Sequence, residues 1–352
     1  MDSRDGSYHH CSSAFVTCAR MPPPLNQARP YDNSVVFLTD KDVLANATNI
    51  IPPSLPAVIC YGRVKDPESC VPKAWWKGVF GDNLYLQTDG DVVEDPEITL
   101  EEIRLLETHE PIRSIFQSVP PSGSTEKTRI LDLCCGQGRH VLQLAELYPH
   151  LELHGHDQSQ YLIELAQSRA AAANVSGRAS FTIGDCRAIP HDDNSFSLVM
   201  VMGNSFGYFA TDNANANLLK EIRRILKPGG FAVMDIPDGA YLRKNFSARG
   251  WEWIDDTMIV CRERKLSKDK KRLISREVVM LTGKGVIRDQ FYAECLYDLA
   301  EVHQLARESG LVPEQKEEDV EENTIGRDMS KRGEDLGMME NRYLVLVSKP
   351  LP

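Results

Sequence analysis

The sequence predicts an α/β fold in which a parallel sheet is covered by helices on both faces and extended by a long antiparallel insertion. Three observations predict it. Between Arg129 and Ile236, short apolar runs alternate with segments of helical period. From Trp251 the pattern changes to long strand-like runs with tight turns at Lys268–Lys271 and Gly283–Gly285. Near the end a helical segment, Asp298–Ser309, precedes an apolar strand, Arg342–Ser348.

Taken in order, residues 1–30 carry scattered charges and Pro22–Pro24 and read as a flexible tail without the apolar core of a secretory signal. Ser34–Leu38 and Ala57–Tyr61 read as short strands in a Pro-rich stretch. Thr99–Phe116 reads as one amphipathic helix with Ile103, Leu106, Ile112 and Phe116 among its apolar positions. The Pro, Ser and Gly content of Ser118–Thr128 marks a loop and the main boundary. The chain therefore divides into an N-terminal cap and substrate region (31–118), a linker (119–128) and a main domain (129–352) whose insertion spans 251–297.

Within the main domain the strands are Arg129–Cys134, Leu151–His156, Ser180–Ile183, Phe196–Met202 and Phe231–Ile236. The helices between them are Arg139–Leu147, Gln158–Ala173 and Asn213–Leu226, the last stopped by Pro228-Gly229-Gly230. The insertion holds Thr257–Leu266, Leu273–Leu281 and Gly285–Tyr297, and Leu311–Gln315 is a further short strand.

The 352 residues are 42% hydrophobic and 26% charged, as in an ordinary globular protein. No apolar run reaches the roughly 18 residues of a membrane span. The net charge of −11 makes nucleic acid a poor default partner. Nine irregularly spaced cysteines fit a reduced, cytoplasmic protein better than a disulfide framework. No C-x-x-C pair is present, and the H-x-H of His154 and His156 lacks further ligands, so no metal site is expected.

The chemistry concentrates in I130-L-D-L-C-C-G-Q-G-R-H140, which follows a strand and opens a helix. Gly136 and Gly138 permit a tight turn with backbone close to a ligand, and the helix start offers unpaired N–H groups. Asp157 ends the next strand, where a βαβ unit places a carboxylate on a ribose diol. A dinucleotide fingerprint would want Gly or Ala at Val141, and Asp132 inside the first strand also points away from that class.

In this form the segment resembles motif I of the class I S-adenosylmethionine-dependent methyltransferases. Further features match that family: Gly184-Asp185-Cys186 after the third strand, G203-N-S-F-G-Y-F209 after the fourth, and L226-K-P-G-G230 before the fifth. Ser197 replaces the usual Asp. The resemblance implies a Rossmann-like sheet closed by a reversed C-terminal β-hairpin, and S-adenosyl-L-methionine as cofactor. It assigns cofactor contacts to Asp132, Cys135, Gly136, Gly138, Asp157, Gln158, Asp185, Cys186 and Gly203. It places Asn204 and Tyr208, with Ser205, beside the transferred methyl, and Tyr85 of N83-L-Y-L-Q-T88 over the cofactor's methionine end. The insertion, ending in E294-C-L-Y-D-L-A-E-V302, resembles the lid of a branch acting on small molecules.

Trp76, Tyr292, Glu294 and Tyr297 are candidate substrate contacts, with Tyr292 and Glu294 on one face of their strand. His140 is expected to pack rather than to act as a base. Arg262–Arg272, with seven basic residues in eleven, reads as a solvated β-turn. The charged run 314–335 reads as a mobile loop.

The resulting expectation is in-line methyl transfer to a small-molecule nucleophile, tilted toward nitrogen because no firm general base is evident. A protein or RNA methyltransferase, a non-transferase cofactor-binding protein or cyclase, and a nucleotide-dependent oxidoreductase are the alternatives. The N/D-P-P-Y and Pro-Cys motifs of base-modifying enzymes are absent from the sequence. Monomer and homodimer are both compatible with it.

Overall fold

The computed structural model describes residues 60–121, 127–314 and 341–352, with the backbone of 324–326. The proposed tail, the strand Ser34–Leu38, half of the 119–128 linker and most of the charged run 314–335 lie outside these residues. Cys60 and Tyr61, the described end of the expected strand Ala57–Tyr61, are not in a strand.

The described residues form one compact unit. After a 3-10 turn at Pro67–Cys70 come three short helices, α1 (Trp76–Val79), α2 (Leu84–Thr88) and α3 (Gly90–Val93). The expected single helix Thr99–Phe116 is two, α4 (Pro96–Thr108) and α5 (Glu110–Gln117), with His109 extended between them. Pro111 causes the break. It lacks an N–H, its ring would strike the carbonyl four residues earlier, and it fits the first turn of a new helix. Asp95 caps α4 by accepting the Glu97 amide at 2.8 Å.

The alternation that follows is β1 (Arg129–Leu133), α6 (Arg139–Leu147), β2 (Glu152–Asp157), α7 (Gln160–Ala172), β3 (Ala179–Ile183), β4 (Phe196–Val201), α8 (Asp212–Ile225) and β5 (Leu226–Pro237). A helix that the apolar pattern did not signal, α9 (Gly239–Asn245), is capped by Asp238 and leads out of the sheet. Four antiparallel strands come next: β6 (Arg249–Trp253), β7 (Met258–Leu266), β8 (Arg272–Leu281) and β9 (Gly285–Cys295). The chain returns through α10 (Leu299–Glu308), β10 (Val312–Pro313), β11 (Thr324–Gly326) and β12 (Asn341–Ser348). Asp298 and Glu301 form a capping box at the start of α10.

The main sheet runs β10-β12-β5-β4-β1-β2-β3, with β11 also on β12. β1 to β5 are mutually parallel where they pair, and β12 is antiparallel to β5, so the reversed terminal hairpin is present. β1, β4, β12 and the second half of β5 are buried on both faces, which is why these central strands read as near-continuous apolar runs. Leu198 and Met200 of β4 pack with Ile103, Leu106, Ile112 and Phe116 of α4 and α5. Val199 and Val201 pack with Leu219 and Ile222 of α8 and with Val302 of α10. The second sheet has the order β6-β7-β8-β9.

Candidate active site

The turn after β1 is built from left-handed backbone: Cys134 (φ 63°), Gly136 (φ 53°) and Gly138 (φ 77°). The Cys134 and Cys135 amides both donate to the His156 carbonyl, at 2.7 and 3.2 Å, so β2 holds the strained turn. A Cβ on Gly138 would stand 2.7 Å from the Phe181 ring, whereas one on Gly136 would meet nothing nearer than Leu162, at 3.8 Å. Gly138 therefore serves helix packing, and Gly136 faces open space.

Asp157 binds this turn directly. Its Oδ2 accepts the Gly136 amide at 2.9 Å and its Oδ1 accepts the Ser159 amide at 2.8 Å. Burial pushes its carboxyl up, against those amides, which pull it down. Ser159, not Asp157, caps α7. Asp185 lies after β3, with both oxygens on Arg187, whose guanidinium stands 4.2 Å from the centre of the Phe209 ring.

Asp132 is buried in β1, its Oδ2 3.6 Å from His140 Nδ1. The other nitrogen of His140 hydrogen-bonds Glu102 at 2.9 Å. Burial and the Arg139 charge pull His140 down, but Asp132 and Glu102 outweigh them and raise its pKa, which suits a fixed cation rather than a base. Arg139 pairs with Glu102, and Arg342 stands 3.5 Å from Glu102 and 2.7 Å from Asp235. Asp235 in turn accepts the Gly203 amide at 3.3 Å. One buried ionic network thus connects α4, the turn after β1 and the loop after β4.

That loop turns through two consecutive left-handed residues, Gly203 (φ 64°) and Asn204 (φ 61°). Asn204 is buried, and its Oδ1 has no hydrogen-bond partner among the described residues. The Ser205 hydroxyl donates to the Met202 carbonyl at 2.8 Å. Tyr208 stacks on Phe80, with centroids 5.9 Å apart, and tilts against Trp75 at 4.7 Å.

Two cavities meet here. One, of about 340 Å³, is lined by Trp76, Asp157, Gln158, Asp185 and Cys186. The other, of about 210 Å³, is lined by Asp132, Cys135 and Asn204 and, from the second sheet, by Tyr292 and Glu294. Tyr85, Cys134, Gly136, Gly203, Ser205 and Tyr208 border both.

Most of the expected site residues are therefore brought together. Three placements differ from expectation. Gly138 packs on Phe181 and borders neither cavity. Tyr297 is buried away from both, its hydroxyl 2.7 Å from Asp212 and 2.9 Å from the Asn215 amide, because the chain leaves the second sheet at Cys295. Trp76 lines the larger cavity, and its neighbour Trp75 lines the smaller.

The basic run Arg262–Arg272 is also not simply a solvated turn. Arg262 and Arg264 are buried on the inner face of β7, alternating with exposed Glu263 and Lys265. Arg262 pairs with Glu252 of β6 at 2.5 Å and with Glu277 of β8 at 3.1 Å. All four residues 262–265 are charged, so the alternation lies in burial alone and the sequence carries no period-two signal for this face. His154 and His156 are held by Ser180 and Thr182, each at 2.8 Å.

Residues 130–230 match a family model described as a methyltransferase domain. A ubiquinone/menaquinone biosynthesis C-methyltransferase from Geobacter sulfurreducens is 29% identical over 177 residues, 43% of this chain and 66% of that protein. A demethylmenaquinone methyltransferase from Lactiplantibacillus plantarum is 37% identical over 105 residues, 30% of this chain and 43% of that protein. The chain thus spans between about two fifths and two thirds of the length of these curated relatives. Among solved structures, an S-adenosylmethionine-dependent methyltransferase from Clostridium acetobutylicum aligns with a TM-score of 0.51 at 16% identity, over 64% of this chain and 85% of that one. A sugar N-methyltransferase from Streptoalloteichus sp. aligns with a TM-score of 0.51 at 16% identity, over 85% and 99%. These two likenesses show the fold.

Proposed function

We propose that this chain, whose residues 130–230 match a methyltransferase domain, is a class I S-adenosylmethionine-dependent methyltransferase that methylates a polar small molecule, at nitrogen in preference to oxygen or carbon. The observation that carries this reading is the meeting of two cavities at Tyr85, Gly203, Ser205 and Tyr208. One offers groups for a nucleoside and the other offers polar groups for an acceptor.

The residues fit the cofactor. Asp157 and Asp185 supply carboxylates beside the flat ring of Trp76, and Gly136 leaves the space of a side chain empty. When bound, S-adenosylmethionine supplies an electrophilic methyl on a sulfonium. In this reading Asp157 and Gln158 hold the ribose and the Asp185–Cys186 segment borders the adenine. Asp132, Cys135 and Gly203 line the methionine end, with Tyr85 over it. Asn204 and Tyr208 exclude water and align the acceptor, the main requirement of such a transfer. Residues 75–93 and the second sheet select that acceptor.

Nitrogen is favoured because the acceptor wall is charged and hydrogen-bonding, with Arg262, Glu252, Glu277 and Glu294 all facing the smaller cavity. No helix among the described residues is long and apolar enough to cross a membrane. The described cysteines are free thiols, which supports a cytoplasmic setting.

Calorimetry of the full chain with S-adenosylmethionine, followed by mass spectrometry with a panel of small amines, phenols and thiols, tests the reading. Micromolar cofactor binding and a mass gain of one methyl on an amine are expected. No cofactor binding would sink the proposal, and methyl gain confined to phenols or thiols would sink its choice of nitrogen.

A further inference from the structure

Resting on the methyltransferase reading, we propose that the smaller cavity takes a small molecule bearing an alkylammonium group, and that Glu294 both recognises this cation and accepts its proton. Glu294 lies on the inner face of β9, 8% exposed, and lines the cavity. Its Oε2 has no hydrogen-bond partner among the described residues. A buried carboxylate oxygen left without a partner is costly unless a ligand supplies the donor.

The walls around it suit a cation. Trp75 stands 4.7 Å from Tyr208 and 5.6 Å from Tyr292, and Phe80 stands 4.8 Å from Tyr85. These five rings all line the cavity. Aromatic faces attract an ammonium through their quadrupoles, most strongly where water is excluded.

The charges agree. Six carboxylates line the cavity, Asp89, Asp91, Asp132, Glu252, Glu277 and Glu294; Asp132 faces His140, and Arg262 and Arg264 stand among the others. Of the other two arginines there, Arg139 is paired with Glu102 and Arg288 with Asp82. A cationic ligand offsets the surplus. The groups acting on Glu294 from its neighbours are Arg264 of β7, Asp89 between α2 and α3, Tyr208 of the loop after β4 and Tyr292 of its own strand. Burial pushes the Glu294 carboxyl up to about 7, with Arg264 pulling down and Asp89 pushing up. A carboxylate poised near neutrality is suited to proton transfer at working pH.

The ammonium gives one proton to the Glu294 carboxylate, which frees the nitrogen lone pair. That lone pair forms the new C–N bond as the methyl–sulfur bond breaks, with the bonding electrons left on sulfur. The product leaves as the methylated ammonium, and Glu294 returns its proton to solvent. The net change is one proton released per methyl transferred.

The test uses the full chain loaded with S-adenosylhomocysteine and a matched probe pair, benzylamine and benzyl alcohol. Calorimetry is expected to show the amine binding at least tenfold tighter at pH 8. That preference should fall at pH 6, where Glu294 is protonated, and be lost in Glu294→Gln. Infrared difference spectra of the wild type should show a carboxyl band titrating near pH 7 that the variant lacks. Equal affinity for the two probes, binding of neither, or a Glu294 midpoint below pH 5 would each overturn the proposal. The wild-type readouts stand even if the variant fails to fold. Failure of the wild type to bind S-adenosylhomocysteine would instead overturn the methyltransferase reading itself.

Discussion

The Asp157 carboxylate accepts the Gly136 amide at 2.9 Å, joining the end of β2 to the turn after β1 across 21 residues of sequence. The turn and the acid are therefore one unit, set before any ligand arrives. One lone pair of each Asp157 oxygen is spent on backbone amides, and the remaining acceptor capacity borders the larger cavity.

Replacing Asp157 by Ala removes both the acceptor and the tie to Gly136. S-adenosylmethionine affinity should fall at least tenfold, about 1.4 kcal/mol. Asp157→Asn retains an acceptor oxygen and should lose less. Calorimetry on both variants gives the order, and equal affinity in Asp157→Ala and the wild type would refute the role.

The two glycines of the turn should separate stability from binding. Gly138→Ala meets left-handed backbone and a clash with Phe181. It should cost about 2 kcal/mol or more. Gly136→Ala has left-handed strain but no clash, so it should cost about 1–2 kcal/mol and mainly weaken cofactor binding. Thermal melts with and without S-adenosylmethionine distinguish the two. A Gly138→Ala protein as stable as the wild type would contradict the packing argument.

Glu102 anchors the buried network under the site. Burial alone would raise its carboxyl, but Arg139, His140 and Arg342 outweigh it and hold the group well below the usual range. A depressed carboxylate stabilises the fold fully above its unfolded value and loses that contribution as pH falls through the folded one. Glu102→Ala strands those cations and should destabilise by about 3–5 kcal/mol at pH 7. The gap between variant and wild type should narrow on acidification below about pH 4.5. Urea titrations at pH 7 and pH 3.5 measure this, and a gap that widens in acid would disprove it.

Glu294 should show the opposite sign. Its folded value near 7 lies above the ordinary 4.5. The native state therefore holds an extra proton between those values, and stability falls as pH rises through that window. Glu294→Gln should be more stable than the wild type at pH 8 by about 2–3 kcal/mol, with the difference gone at pH 4. A variant less stable than the wild type at pH 8 would show that the carboxylate is well solvated or paired.

The alternation of apolar runs with helical segments, and the Gly136–Gly138 turn followed by Asp157, were legible because backbone geometry and two-sided burial act on local sequence. The strands β1 to β5, the helices α6 to α8 and the long hairpins β7 to β9 follow from that pattern. So does the shared cavity face of Tyr292 and Glu294, which strand period dictates. Pro111 was equally visible in the sequence, and it divides what the apolar period joined into one helix. Other features depend on segments distant in the chain. Packing of α4 under the sheet brings Glu102 to His140 across 38 residues. The second sheet turns Arg262 and Arg264 inward onto Glu252 and Glu277, where composition alone suggested a solvated turn. Tyr297 left the site because the strand ended two residues before it. Local periodicity determines which residues share a face, but only the packed tertiary structure decides what that face meets and which charges it leaves without partners.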